Sequence, residues 1–133
     1  MSTKEDQMER RHASSGSPYE ATIGFSRAVR LGNHIAVSGT APIWPDGGIV
    51  LDAKAQAKRC LEIALSAVEE LGGSVQDVVR TRMFITRADV ADEVSEAHGE
   101  VFRDVRPAAT MVVVAALLDP RWLVEIELDA ICS

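Results

Sequence analysis

Over residues 23–31 apolar side chains fall at alternate positions (Ile23, Phe25, Val29, Leu31, interrupted by Arg27), and Gly32-Asn33 then offers a two-residue turn into residues 34–38. Alternate side chains of a strand share a face, so this spacing around such a turn predicts a β-hairpin. Residues 39–48, with Pro42, Pro45 and Asp46-Gly47-Gly48, read as a loop carrying Trp44. Asp52 is placed to cap a helix in which Ala57, Cys60, Leu61, Ala64, Leu65, Val68 and Leu71 recur at the three-and-four spacing of one buried face. Gly72-Gly73 stops that helix, since glycine tolerates the left-handed conformation of a C-terminal cap.

The alternation resumes at residues 79–86, with Val79, Thr81, Met83 and Ile85 on one face and Arg80, Arg82 and Phe84 on the other. A second helix is predicted over 89–103, its stripe made of Val90, Val94, Ala97, His98, Val101 and Phe102, and Pro107 ends any continuation. Residues 110–118 (TMVVVAALL) are apolar at nearly every position, the pattern of a central strand covered on both faces, and Asp119-Pro120 breaks it. The last element, 123–131, sets Val124, Ile126, Leu128 and Ala130 against Glu125, Glu127 and Asp129. The order is β-β-α-β-α-β-β, and two helices on one face of a mixed sheet is its economical packing. The opposite face would then carry Arg80, Phe84, Glu125 and Glu127 among apolar neighbours. Burial of that face between subunits makes an oligomer the first structural expectation.

Residues 1–19 hold breakers (Ser14-Ser15-Gly16-Ser17-Pro18) and no apolar periodicity, so they read as a flexible N-terminal arm before a single domain over 20–133. A length of 133 residues, 47% apolar and 26% charged, suits one globular domain able to bury a core without staples. Cys60 and Cys132 stand apart, and His12, His34 and His98 are scattered, which removes the disulfide-scaffold and zinc-finger classes. The polar start lacks a signal peptide's apolar core and no run reaches membrane-spanning length, so the expectation is a soluble cytoplasmic protein without a membrane partner. The tail's Lys4, Arg10 and Arg11 are balanced by Glu5, Asp6 and Glu9, which leaves the formal charge of −6 on the body and disfavours nucleic acid as a partner.

Neither glycine pair sits in a phosphate-cradling pattern, and Ser38-Gly39 is not a nucleophile elbow. His98, on an apolar stripe, reads as a packed core histidine, and Cys60 as a small apolar filler. Glu125, Glu127 and Asp129 form a row that is either solvated surface or, if subunits cover it, a set of carboxylates whose pKa values depend on pairing. Arg80 and Arg82 on a neighbouring strand are candidate partners.

Taken together, several segments resemble the RidA/YjgF-like family, also labelled endoribonuclease L-PSP, over roughly residues 22–131. They are Gly24-Phe25-Ser26-Arg27-Ala28 with Leu31-Gly32-Asn33, Val37-Ser38-Gly39-Thr40-Ala41-Pro42, Gln56, Leu71-Gly72-Gly73, Val79-Arg80-Thr81-Arg82-Met83-Phe84, Arg106-Pro107-Ala108-Ala109-Thr110 and Val124-Glu125-Ile126-Glu127. The resemblance implies a chorismate-mutase-like α/β (α+β) fold with a mixed six-stranded sheet and two helices on one face. It also implies a homotrimer with ligand pockets between subunits, and no metal or organic cofactor. Its best-understood members hydrolyse 2-imino acids and related enamines to 2-oxo acids and ammonia. An arginine holds the substrate carboxylate and a glutamate-held water serves the imine carbon. Ser38 and Gly39 match the pocket loop, and Glu125 matches the catalytic glutamate. Phe25 stands where a tyrosine is frequent, and Ser95 aligns near a pocket asparagine.

The departure lies at the carboxylate-binding arginine, whose place in the family's Pro-Ala-Arg motif is taken by Ala109. Loss of such a bidentate contact costs about 2–5 kcal/mol when the partner is left buried and unpaired. Arg106, Arg27 and Arg82 are the candidate substitutes, although Pro107 is expected to hold Arg106 extended. The function expected first is therefore a divergent, deaminase-like hydrolase of an imine, enamine or related reactive metabolite, with Glu125 orienting water. The alternatives are a metabolite-binding or regulatory trimer without turnover and an endoribonuclease-like activity, the last opposed by the acidic body.

Overall fold

The computed structural model describes residues 9–133. Six strands form one mixed sheet: β1 (Arg10–Ala13), β2 (Ala28–Leu31), β3 (His34–Thr40), β4 (Val78–Ile85), β5 (Ala108–Val113) and β6 (Val124–Ile131). Two main helices, α1 (Ala53–Glu70) and α2 (Ala91–Phe102), complete the domain. The spatial order is β1-β2-β3-β6-β4-β5, and every neighbouring pair is antiparallel except β4 and β5, which run parallel across the α2 connection.

α1 forms as its sequence predicts. Asp52 accepts from the Ala55 amide at 2.9 Å, and at the other end Gly72 takes a φ of +90° while Gly73 N bonds Val68 O at 2.9 Å and Gly72 N bonds Glu69 O at 3.0 Å. Those two bonds are a Schellman close, which satisfies carbonyls that the helix leaves over. The helix packs on β3 and β6 and against α2. Its face of Ala57, Cys60, Leu61, Ala64 and Val68 meets Ile35 of β3, Met83 and Ile85 of β4, and Val124, Ile126, Leu128 and Ala130 of β6 in one core. Gln56, fully buried there, bonds Val50 O, Arg121 O and the Leu123 amide, so both ends of its amide are satisfied and the loop into β6 is pinned to α1. His98 is half-buried and shares a 2.8 Å hydrogen bond with Thr81, as befits a packed core histidine, and burial lowers its pKa.

The structure departs from the sequence expectations in three places. Of the expected arm, residues 1–8 lie outside the described residues, but Arg10–Ala13 form β1 and supply the sixth strand. Only Ala13 of that strand is buried, so its order comes from backbone pairing with β2 and from the Arg11 Nη2 bond to Leu71 O at 3.3 Å, neither of which leaves an apolar pattern. The first hairpin strand begins at Ala28 rather than near Ile23, because Glu20–Gly24 wind into a π-helical turn that leaves Ile23 70% exposed. The Glu20 carboxylate ties that turn down by accepting from the hydroxyls of Ser14 and Ser15 and the Ser15 amide. Finally, the apolar run at 110–118 is not a central strand: β5 is an edge, ends at Val113, and leaves Val112 42% and Val113 57% exposed within one chain.

β6 occupies the interior and states the two-sidedness of the sheet. Val124, Ile126, Leu128 and Ala130 are buried under the helices, whereas Glu125, Glu127 and Asp129 point to the uncovered side. Cross-strand register places Val112, Phe84 and Glu125 in one row on that side, Thr110, Arg82 and Glu127 in the next, and Ala108, Arg80 and Asp129 in a third.

Candidate functional site

The candidate site lies where β3 loses its regular pairing with β6. The register shifts between Val37 and Thr40, so Ser38 and Gly39 form an irregular step opposite the stretch of β6 between Ile126 and Leu128. A step of this kind re-aims the chain and ends the ladder. Four hydrogen bonds hold it: Ser38 Oγ donates to Ser26 O at 2.6 Å, Thr40 Oγ1 donates to Ser38 O at 2.8 Å, and Arg27 Nη1 donates to Gly39 O at 3.1 Å and Thr40 Oγ1 at 3.0 Å. Arg27 reaches this place from the turn before β2, which closes with the Phe25 amide on Glu20 O at 3.0 Å and the Arg27 amide on Ala13 O at 2.9 Å.

Glu125 lies directly over Gly39. A Cβ added at Gly39 would overlap Glu125 Oε2 and stand 3.2 Å from Cδ, so the absence of a side chain is what lets the carboxylate rest there. Burial pushes the Glu125 carboxyl above its usual value, with nearby Arg27 opposing and Glu127 adding to the rise. The other two carboxylates of the row differ. Arg82 Nη1 stands 3.2 Å from Glu127 and 3.8 Å from Asp129, and His34 Nε2 is 3.7 Å from Asp129, whereas Glu125 makes no ion pair among the described residues. A half-buried carboxylate without an ion pair, raised by burial, is chemically able to accept or donate a proton.

One chain thus brings Ser38, Gly39, Arg27 and Glu125 together, with Phe25 one residue from the Ser26 carbonyl that anchors Ser38. Arg82 stays on the same face but is engaged by Glu127 and Asp129. Ala109 sits on the edge strand in register with Thr81 and hence Leu128, three residues along β6 from Glu125. Ser95 is exposed on α2, on the helix-covered side, and does not join the group within one chain. Arg106 is also exposed, and it is not extended: its φ is +56°, because the chain leaving α2 turns sharply with Arg106 N bonded to Phe102 O at 2.8 Å. That closing turn overrides the usual preference before proline. Thr40, which carries Arg27, escaped sequence reasoning, and only its position directly after Ser38-Gly39 hinted at it. Cys60 is buried and its thiol is pushed up by burial, the state of an inert core residue. Among the described residues no three His, Cys, Asp or Glu side chains converge as a metal would require, and no helix is long and apolar enough to cross a membrane.

Comparison with known proteins gives a consistent result. The family model described as endoribonuclease L-PSP matches residues 16–132. An uncharacterised protein of Streptomyces coelicolor is 36% identical over 125 residues, which span 90% of each sequence. A Mycobacterium tuberculosis member of the YjgF/YER057c/UK114 family superposes with a TM-score of 0.84 at 41% identity, covering 92% of this chain and 99% of that one. Escherichia coli TdcF, solved with bound serine, superposes with a TM-score of 0.79 at 28% identity, covering 92% and 94%.

Proposed function

Because the chain belongs to the endoribonuclease L-PSP family, the YjgF or Rid proteins, we propose that it hydrolyses a small imine or enamine lacking a carboxylate, in clefts between the subunits of a homotrimer. The observation that carries this reading is Glu125, half-buried over Gly39, unpaired, and raised by burial. A carboxyl moved toward neutrality can accept a proton from water as the oxygen adds to the imine carbon, and return it to nitrogen. The resulting carbinolamine expels ammonia and leaves the carbonyl product. Arg27, bound to Gly39 O and Thr40 Oγ1, acts through the backbone step as a positioning residue.

Ala109 is the reason for excluding an anionic substrate. The family's carboxylate anchor is missing, Arg82 is engaged by two carboxylates, Arg106 is turned into the close of α2, and Arg27 bonds Gly39 O and Thr40 Oγ1 and lines the cleft against α1. Trimer formation is supported by the uncovered side of the sheet, where Val112 is exposed beside Phe84. Three copies covering that side would also bury Glu125 further and strengthen its rise.

The deciding experiment offers the purified protein two freshly generated imines, 2-iminobutanoate and an N–H ketimine without a carboxylate, and follows ammonia release. The neutral imine should be accelerated over buffer and lose that acceleration in Glu125→Gln. Ala109→Arg should gain activity toward 2-iminobutanoate by about ten-fold or more. Failure to accelerate either imine removes the hydrolase reading. Metabolite binding without turnover, favoured by the serine held in the similar TdcF structure, then becomes the better account. RNA left intact after long incubation is expected, in keeping with the charge of −6.

A further inference from the structure

A second concavity, of about 410 Å³, opens between α1, the loop after β3 and the end of β1, and Glu125 is not part of its lining. Its volume is that of an ordinary small-molecule site. Ile43, Trp44 and Ile63 give it an apolar wall, and Arg27 and Arg59 both reach it.

The charges are distributed unevenly. Arg27 is the more enclosed cation: its two direct partners, Gly39 O and Thr40 Oγ1, are neutral, and its buried Nε has no partner among the described residues. Burial pulls Arg27 below its usual value even though Glu20 and Glu125 oppose the change. Arg59 is held in place by its Nε bond to Ile43 O at 2.7 Å and meets only the outer Glu62, 3.4 Å away and itself 68% exposed. Positive groups thus stand inside and the carboxylates of Glu62 and Glu70 at the exposed rim. Guanidinium groups with unused N–H donors beside an aromatic wall match one kind of molecule.

We propose that this cleft is a second ligand site, adjoining the Glu125 site and sharing Arg27 with it, that takes a small carboxylate with an apolar body, the anion against Arg27 and Arg59 and the body against Trp44 and Ile63.

The probe is 3-phenylpropionate, titrated into the full-length protein by calorimetry, with 3-phenylpropanol as the neutral twin. The acid should bind at least about ten-fold more tightly than the alcohol, the discrimination expected of charge-assisted bonds. Arg59→Ala should weaken it by about ten-fold. Ser66→Phe, which fills the cleft from an exposed position on α1, should abolish binding with the circular dichroism spectrum unchanged. Glu125→Gln, which removes a nearby negative charge without touching the lining, should not weaken binding, and this distinguishes the cleft from the proposed catalytic site. No binding, equal binding of acid and alcohol, or binding that survives Ser66→Phe but is lost in Glu125→Gln overturns the proposal.

Discussion

The two sides of the sheet, carried by the same strands, obey different rules. Under α1 and α2 the residues of β6 are apolar and buried, and the polar side chains buried there, Thr40, Gln56 and Thr81, are hydrogen-bonded. One residue away along the same strand, Glu125, Glu127 and Asp129 lie half-buried, the last two beside Arg82, and Glu125 with no ion pair among the described residues. The covered side spends its sequence on packing, and a cation without an ion pair among the described residues, Arg27, stands at its margin where the cleft against α1 opens. The uncovered side keeps the carboxylate of Glu125, and it coincides with the only shift in the β3–β6 register. The proposed chemistry falls where packing has not already fixed every group.

The contrast is broken most severely from the covered side. Ile126, fully buried between β3, β4 and α1, should cost about 2–5 kcal/mol when changed to alanine, read as a lower urea midpoint with an unchanged slope. A smaller loss than that would mean that α1 collapses into the gap.

That covered side is also where the sequence was most legible. The three-and-four stripe of α1, its Asp52 cap and its Gly72 close are local signals, and the structure uses each of them. β1 carried no such signal, since Arg10, Arg11 and His12 stay exposed and their order depends on a partner strand distant in sequence. β5 misled for the converse reason: its run of valines says that both faces seek cover, but not whether the cover comes from its own chain. At the site, Glu125, Ser38 and Gly39 came from a resemblance in motif, whereas the engagement of Arg82 by two carboxylates and the turn at Arg106 are properties of tertiary geometry that no spacing encodes.

On the uncovered side the expected changes in stability are smaller and those in activity larger. Gly39→Ala should shift the Glu125 carboxylate, because the new methyl group meets the far end of a flexible side chain rather than backbone. Its stability should change by less than about 1 kcal/mol while imine hydrolysis falls by about ten-fold, a displacement of the proton-transferring group being costly to rate. Equal loss of both would show that Gly39 serves the fold and not Glu125. Arg82→Ala comes next. Its pairs with Glu127 and Asp129 are partly exposed, so about 0.2–1 kcal/mol should be lost at low salt and less at high salt. A loss several-fold greater would place this row in a subunit contact.

The smallest effect carries the sharpest sign. Burial raises the Glu125 carboxyl, Arg27 opposes that rise and Glu127 adds to it. A carboxyl whose folded value exceeds its unfolded value supports the fold fully below the unfolded value, about pH 4.3, and that support disappears as pH climbs through the folded value. Above that window the ionised group is held in a place that disfavours it. Glu125→Gln, which cannot ionise, should therefore melt on the order of a degree or two above the parent at pH 8, and the advantage should vanish near pH 4. The reverse order, with the parent more stable at pH 8, would mean that attraction to Arg27 outweighs burial, that Glu125 is an ordinary paired carboxylate, and that the uncovered side holds no poised acid or base.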